Sequence, residues 1–133
     1  MDKLSKGQRS RLMARIHSGN RLEVSVHGTL KSLHVRHEMF PEMFGHPDIL
    51  LERGKGTVVF VNGCFWHGCK QHYREPKTNR VFWREKVRRN RARQRCVLAA
   101  YRASGRRVVV VWEHSLRGNV RDTIRRLLGR LPQ

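Results

Sequence analysis

Acidic residues are scarce in this sequence. Ten Asp plus Glu stand against 29 Lys plus Arg, a formal net charge of +19 over 133 residues. Such an excess repels itself in a compact chain unless a polyanion neutralises it. Nucleic acid is therefore the leading partner, ahead of an anionic membrane surface or a ribosome-like assembly. Long hydrophobic runs are also missing. No apolar stretch approaches the ~18 residues that a membrane span needs. The first twenty residues are polar and basic without an apolar centre, so no secretory signal is expected. Cysteine is limited to Cys64, Cys69 and Cys96, which cannot form a complete disulfide set. Free thiols and a metal site suit a reducing compartment, so the expected location is cytoplasmic, at the nucleoid.

What is present organises as a single domain over residues 1–133, with 1–20 as a basic N-terminal helical arm in which Leu4, Leu12, Met13 and Ile16 have roughly helical spacing. Hydrophobic residues make up 38% of the chain, enough for one core at this length. A second helix is expected over 21–34, with Leu22, Val26, Leu30 and Leu33 on one face. Short strands follow at 35–40 and 48–51. A turn at Gly54-Lys55-Gly56 leads into a strand over 57–62, making a hairpin. Residues 63–78 read as a Cys/His-rich loop, and 79–104 as a long basic helix ended by Gly105. The continuous run Val108 to Trp112 predicts a central strand buried on both faces. A last helix is expected over 119–130. The order αα-βββ-α-β-α predicts an α/β fold with a mixed sheet flanked by helices.

Several residues carry chemistry. Asp48 follows Pro47 at a strand start, where a carboxylate can offer oxygen to Mg²⁺; the plain alternative is a turn Asp satisfying backbone amides. Glu23 lies on the apolar rhythm of the second helix, or else pairs with a surface Arg. His67 follows the aromatics Phe65 and Trp66, and an imidazole there can deprotonate a water for attack at phosphorus. Cys69 and His72 have ligand-like spacing, but zinc wants four ligands. His114 and Cys96 are further candidates, Cys96 reading more readily as a small buried hydrophobe. Phe65 and Trp66 are costly in a loop unless they fold back on the core or wedge between base steps. Phe82 and Trp83 make a second aromatic pair, one facing the core and the other the partner. The arginines and lysine of helix 79–104, among them Arg84, Lys86 and Arg88, have few interleaved acids and suit phosphate contact.

The blocks His46-Pro47-Asp48-Ile49, Val59 to Cys69, Pro76-Lys77-Thr78-Asn79, Phe82 to Lys86, Asn90, and Val108 to Arg117 together resemble the very-short-patch-repair (Vsr) DNA mismatch endonucleases. The resemblance implies a restriction-endonuclease-like core and a Mg²⁺-dependent cut of one strand, 5′ to the thymine of a T:G mismatch. It implies Mg²⁺ on Asp48 and the main-chain carbonyl of Val61, with His67 as general base and Glu23 arranging the site. It implies Phe65, Trp66 and Trp83 as wedges in mismatched duplex, and Cys69, His72 and His114 as structural zinc ligands. Asn62 stands where members carry a catalytic His or an Asp; its neutral amide neither holds charge nor transfers a proton, but can hydrogen-bond a phosphate oxygen. Gln94 stands where the fourth zinc ligand is usually an Asp, and an amide oxygen is the poorer ligand.

The expected function is a monomeric, Mg²⁺-dependent nicking endonuclease on mismatched double-stranded DNA. The alternatives are a non-catalytic mismatch- or structure-binding protein, a same-fold nickase with another DNA substrate, and a zinc-stabilised RNA-associated protein.

Overall fold

The computed structural model of the chain describes residues 5–10, 22–53, 55–65, 67–71 and 73–131. Much of the expected N-terminal arm (1–4 and 11–21), with Gly54, Trp66 and His72, lies outside the described residues. Residues 6–10 are helical and open on a capping box: the Ser5 N–H donates to Gln8 Oε1 at 2.8 Å, and the Gln8 N–H to Ser5 Oγ at 3.2 Å.

The elements that follow are α1 (Leu22–Ser32), β1 (His37–Met39), β2 (Ile49–Leu51), β3 (Thr57–Asn62), α2 (Arg80–Ala103), β4 (Val108–Trp112), α3 (Glu113–Gly118) and α4 (Val120–Gly129). The strands form one sheet in the order β1-β2-β3-β4. The first three run antiparallel, and β3 pairs β4 in parallel. A parallel pair needs a crossover, and α2 supplies it. Alternation along β3 and β4 divides the core in two. Val59 and Val111 pack with α1 and α4 through Val26, Leu30, Ile124 and Leu127. Val58 and Phe60 pack with Val97 and Tyr101 of α2 on the opposite face.

One expectation is corrected and one element is added. Among the described residues β4 is an edge strand, and Val111 alone in it is fully buried. The apolar run of Val108–Trp112 reports cover on both faces; it carries no information about lateral neighbours. The helix α3 went unread because six residues are too few to display a helical period. Asn119 separates it from α4 by accepting the Asp122 N–H at 2.9 Å as an N-cap.

α2 is rich in Arg and Ala, both good helix formers. It ends as the sequence suggested: Gly105 takes φ 82°, the Gly105 N–H donates to Arg102 O, and the Arg106 N–H reaches back to Tyr101 O at 3.0 Å. That is a Schellman cap.

Candidate active site

The parallel pairing sets the carboxyl ends of β3 and β4 side by side, with Asn62 opposite Trp112. In open α/β sheets this edge is where ligands bind. Asp48, just before β2, is half-buried, and its Oδ2 accepts the Val61 N–H at 2.6 Å. Its own N–H donates to Val59 O at 3.1 Å. The candidate acid and the Val61 main chain are thus in contact.

The loop after β3 is closed by its own backbone. His67 N–H donates to Gly63 O at 3.2 Å, Cys69 N–H to Cys64 O at 2.9 Å, and Tyr73 N–H to Cys69 O at 2.9 Å. Gly68 has φ 59°, and a Cβ on it would come within 2.8 Å of Val87 Cγ1, so the loop sits hard against α2. His67 is half-buried, and its Nδ1 is buried with no hydrogen-bond partner among the described residues. Desolvation by burial, then the charge of Arg93, lowers its pKa below the usual histidine value. A neutral imidazole is the form a general base needs.

Trp112 is a site residue that sequence reading passed over. Its ring stands edge-on to His67 at 6.4 Å and stacks on His114 at 6.5 Å and 17°. Glu113 was passed over too. It accepts the Cys64 N–H at 2.9 Å and pairs with Arg117 at 2.7 Å. The bond from the Cys64 amide, with Arg117 behind it, holds the Glu113 carboxyl below the usual carboxylate range. The cue was an aromatic and an acid at the end of a valine strand.

Ligand atoms of Cys64, Cys69 and His114 all lie within 4.8 Å of one another. The His114 Nδ1 is 3.5 Å from Cys64 Sγ and 3.6 Å from Cys69 Sγ. Cys64 therefore joins the cluster, a position the sequence had not assigned to metal. Two thiols and an imidazole are a zinc-type donor set. Gln94 is engaged elsewhere: its side-chain amide is paired with that of Asn62 through two 2.7 Å hydrogen bonds. The same bonds commit Asn62, the expected phosphate-facing amide and itself buried, to a half-buried partner. Cys96 is exposed, not buried, because it falls on the solvent side of α2.

Glu23 is buried at 4% exposure, on the core side of α1 rather than at the surface. Phe65 packs against Trp83 at 5.4 Å and Tyr73 at 5.9 Å. Phe82, in edge contact with Trp83 at 4.9 Å, is 53% exposed. On α2, Lys86 is half-buried. Arg84 pairs with Glu75 and Arg88 with Glu85, each at 2.5 Å. Arg91, Arg93 and Arg95 make no ion pair among the described residues. Tyr73, Glu75, Arg84, Arg88, Arg91 and Arg95 line an open groove of about 330 Å³.

The family model of the DNA mismatch endonuclease Vsr matches residues 1–74. The chain is 37% identical to the type II nicking enzyme V.NaeI of Lentzea aerocolonigenes, over 84% of this chain and 70% of that protein. It is 35% identical to the type II nicking enzyme V.NmeAIP of Neisseria meningitidis serogroup A, over 96% and 94%. It is 36% identical to the DNA mismatch endonuclease Vsr of Escherichia coli, over 67% and 57%. The mixed sheet between helices is a restriction-endonuclease-like core, and the chain belongs to the Vsr family of DNA mismatch endonucleases.

Proposed function

We propose that this chain hydrolyses one strand of duplex DNA on the 5′ side of the thymine in a T:G mismatch, with Mg²⁺ as cofactor. The observation that carries the reading is the Asp48 carboxylate held on the Val61 amide at 2.6 Å, at the strand end from which the His67 loop departs. The donor set suits Mg²⁺, which takes oxygen ligands. A carboxylate offers about four lone-pair sites, so the Val61 N–H leaves Asp48 able to ligate, together with the Val61 carbonyl. When bound, Mg²⁺ supplies charge neutralisation at the scissile phosphate and the departing 3′ oxygen.

The chain's own residues do the remainder. His67 takes a proton from the attacking water as its oxygen bonds to phosphorus and the bond to the 3′ oxygen breaks. Glu23 helps arrange the site. Arg84, Lys86 and Arg88 grip backbone phosphates. Phe65, Trp66 and Trp83 open the mismatched step, where unstacking costs least. Cys64, Cys69 and His114, with His72, hold a structural zinc that pins the loop.

A second reading is nicking at a fixed sequence, favoured by relatives named type II nicking enzymes. One experiment separates the two: nicking of every mismatch, and of the matched duplex, in one sequence context with Mg²⁺. Preferred cutting of T:G supports the first reading, and equal cutting of the matched duplex supports the second. Equal cutting by wild type and Asp48→Ala would sink the assignment of Asp48. Duplex binding without cleavage under any divalent metal would leave only a binding protein.

A further inference from the structure

Asn62 is the last residue of β3 and only 1% exposed. It meets Gln94, midway along α2, head to head. Asn62 Nδ2 donates to Gln94 Oε1 and Gln94 Nε2 donates to Asn62 Oδ1, both at 2.7 Å. Each amide gives one hydrogen bond and takes one, and no charge is buried. Neutrality suits the place, since an unpaired carboxylate there would carry a large desolvation cost.

The pair lies between fixed points. One residue earlier, the Val61 N–H is held by Asp48. One residue later, Gly63 O takes the His67 N–H. On the helix side, Arg93 and Arg95 flank Gln94 and are exposed. An amide pair, Asn62 buried and Gln94 half-buried, therefore joins the helix that presents the basic side chains to the strand end that carries the candidate acid's partner and the candidate base's anchor. Asn62 has almost no surface from which to touch a bound strand.

We propose that Asn62 and Gln94 are a neutral positioning clamp. Through it, the grip of α2 on DNA phosphates sets where the end of β3 stands relative to the scissile phosphate. Asn62 acts through Gln94 and contacts no substrate, so it is a positioning residue and not a catalytic one. The proposal rests on the nicking reading above.

The test uses the full chain and exchanges chain length across the pair. Asn62→Gln makes the clamp one methylene too long, and Gln94→Asn one too short. The double variant Asn62→Gln/Gln94→Asn restores the summed length and both amide heads. Each single change is expected to slow single-turnover nicking of a T:G duplex about tenfold, within the range that a misplaced reacting group costs. Duplex affinity should move less than about threefold, because the phosphate-contacting side chains are untouched. The double variant should recover most of the lost rate. Wild-type rates in both single variants, or a folded double variant no faster than the singles, overturn the clamp.

Nuclear magnetic resonance of the free protein gives a reading that needs no nicking. The side-chain amide protons of Asn62 and Gln94 should be protected from solvent exchange in wild type, lost in each single variant and regained in the double. Unprotected amides in wild type overturn the proposal. If wild type nicks no duplex, the nicking reading falls, and the amide protons decide the clamp alone: recovery in the double variant supports it and its absence overturns it.

Discussion

Asp48 holds the Val61 N–H at 2.6 Å, so the candidate metal carboxylate is also the acceptor that fixes the main chain at the end of β3. The two roles can be separated by substitution. Asp48→Asn retains an oxygen for the Val61 N–H and removes the charge. It should cut nicking by ~10²-fold, the scale of losing one preorganised electrostatic group, with melting temperature and duplex binding nearly unchanged. Asp48→Ala also strips the Val61 N–H of its acceptor, which should cost an additional ~1–3 kcal/mol of stability. Thermal melts beside nicking assays check both. Asp48→Asn with wild-type nicking would remove the carboxylate's charge from the chemistry.

The Cys64, Cys69 and His114 cluster should hold about one equivalent of zinc in purified protein, as its donor set fits a structural site. Stripping the metal with a chelator should lower the melting temperature by about 10 °C. That follows from roughly 4 kcal/mol of binding linkage at a few degrees per kcal/mol for a domain of this size. Cys64→Ser should do the same, and it separates the structural reading from one based on Cys69 and His72 alone. Metal analysis with full zinc in Cys64→Ser would remove Cys64 from the ligand set.

The strand and helix pattern was legible because it is local. Val26 and Leu30 on α1, the β2–β3 hairpin, and the Gly105 stop each follow from a few neighbouring residues. The lateral order of strands is not local, and so β4 was given the centre of the sheet when it lies at the edge. The same limit applies to the site. Asp48, Val61 and His67 could be set near one another because they flank one strand or one hairpin. Gln94 was read as a zinc ligand because sequence cannot say which buried group an amide 32 positions away will meet; the structure pairs it with Asn62. The two positions where the chain departs from the resemblance thus touch each other, one amide answering another.

Arg84 and Arg88 come to DNA already paired, with Glu75 and Glu85. An arginine that must leave a carboxylate to reach a phosphate gains less than an unpaired one. Glu75→Gln should therefore tighten duplex binding and steepen the salt dependence by about 0.9 in log affinity against log salt, the share of one further neutralised phosphate. Arg91→Ala should flatten the same slope by about 0.9, since Arg91 makes no ion pair among the described residues. Affinity measured across a salt series gives both. A slope unchanged by Glu75→Gln would show that Arg84 stays on its carboxylate or reaches no phosphate.

The aromatics divide by exposure. Phe65 is clasped by Trp83 and Tyr73, whereas Phe82 is 53% exposed beside a still more open Val81. Phe65→Ala should cost ~1–3 kcal/mol through the lost pair contacts and weaken nicking partly by loosening the loop that bears His67. Phe82→Ala should cost under about 1 kcal/mol, as surface changes do. Yet an exposed apolar side chain next to Trp83 is placed to press on a base step alongside the proposed wedges Phe65, Trp66 and Trp83. Phe82→Ala should then lower the ratio of mismatched to matched nicking several-fold, because unstacking is where the mismatch differs energetically from a paired step. Melts and nicking of paired substrates test this together. A Phe82→Ala protein that keeps the full ratio assigns the wedge to other aromatics of the loop and helix.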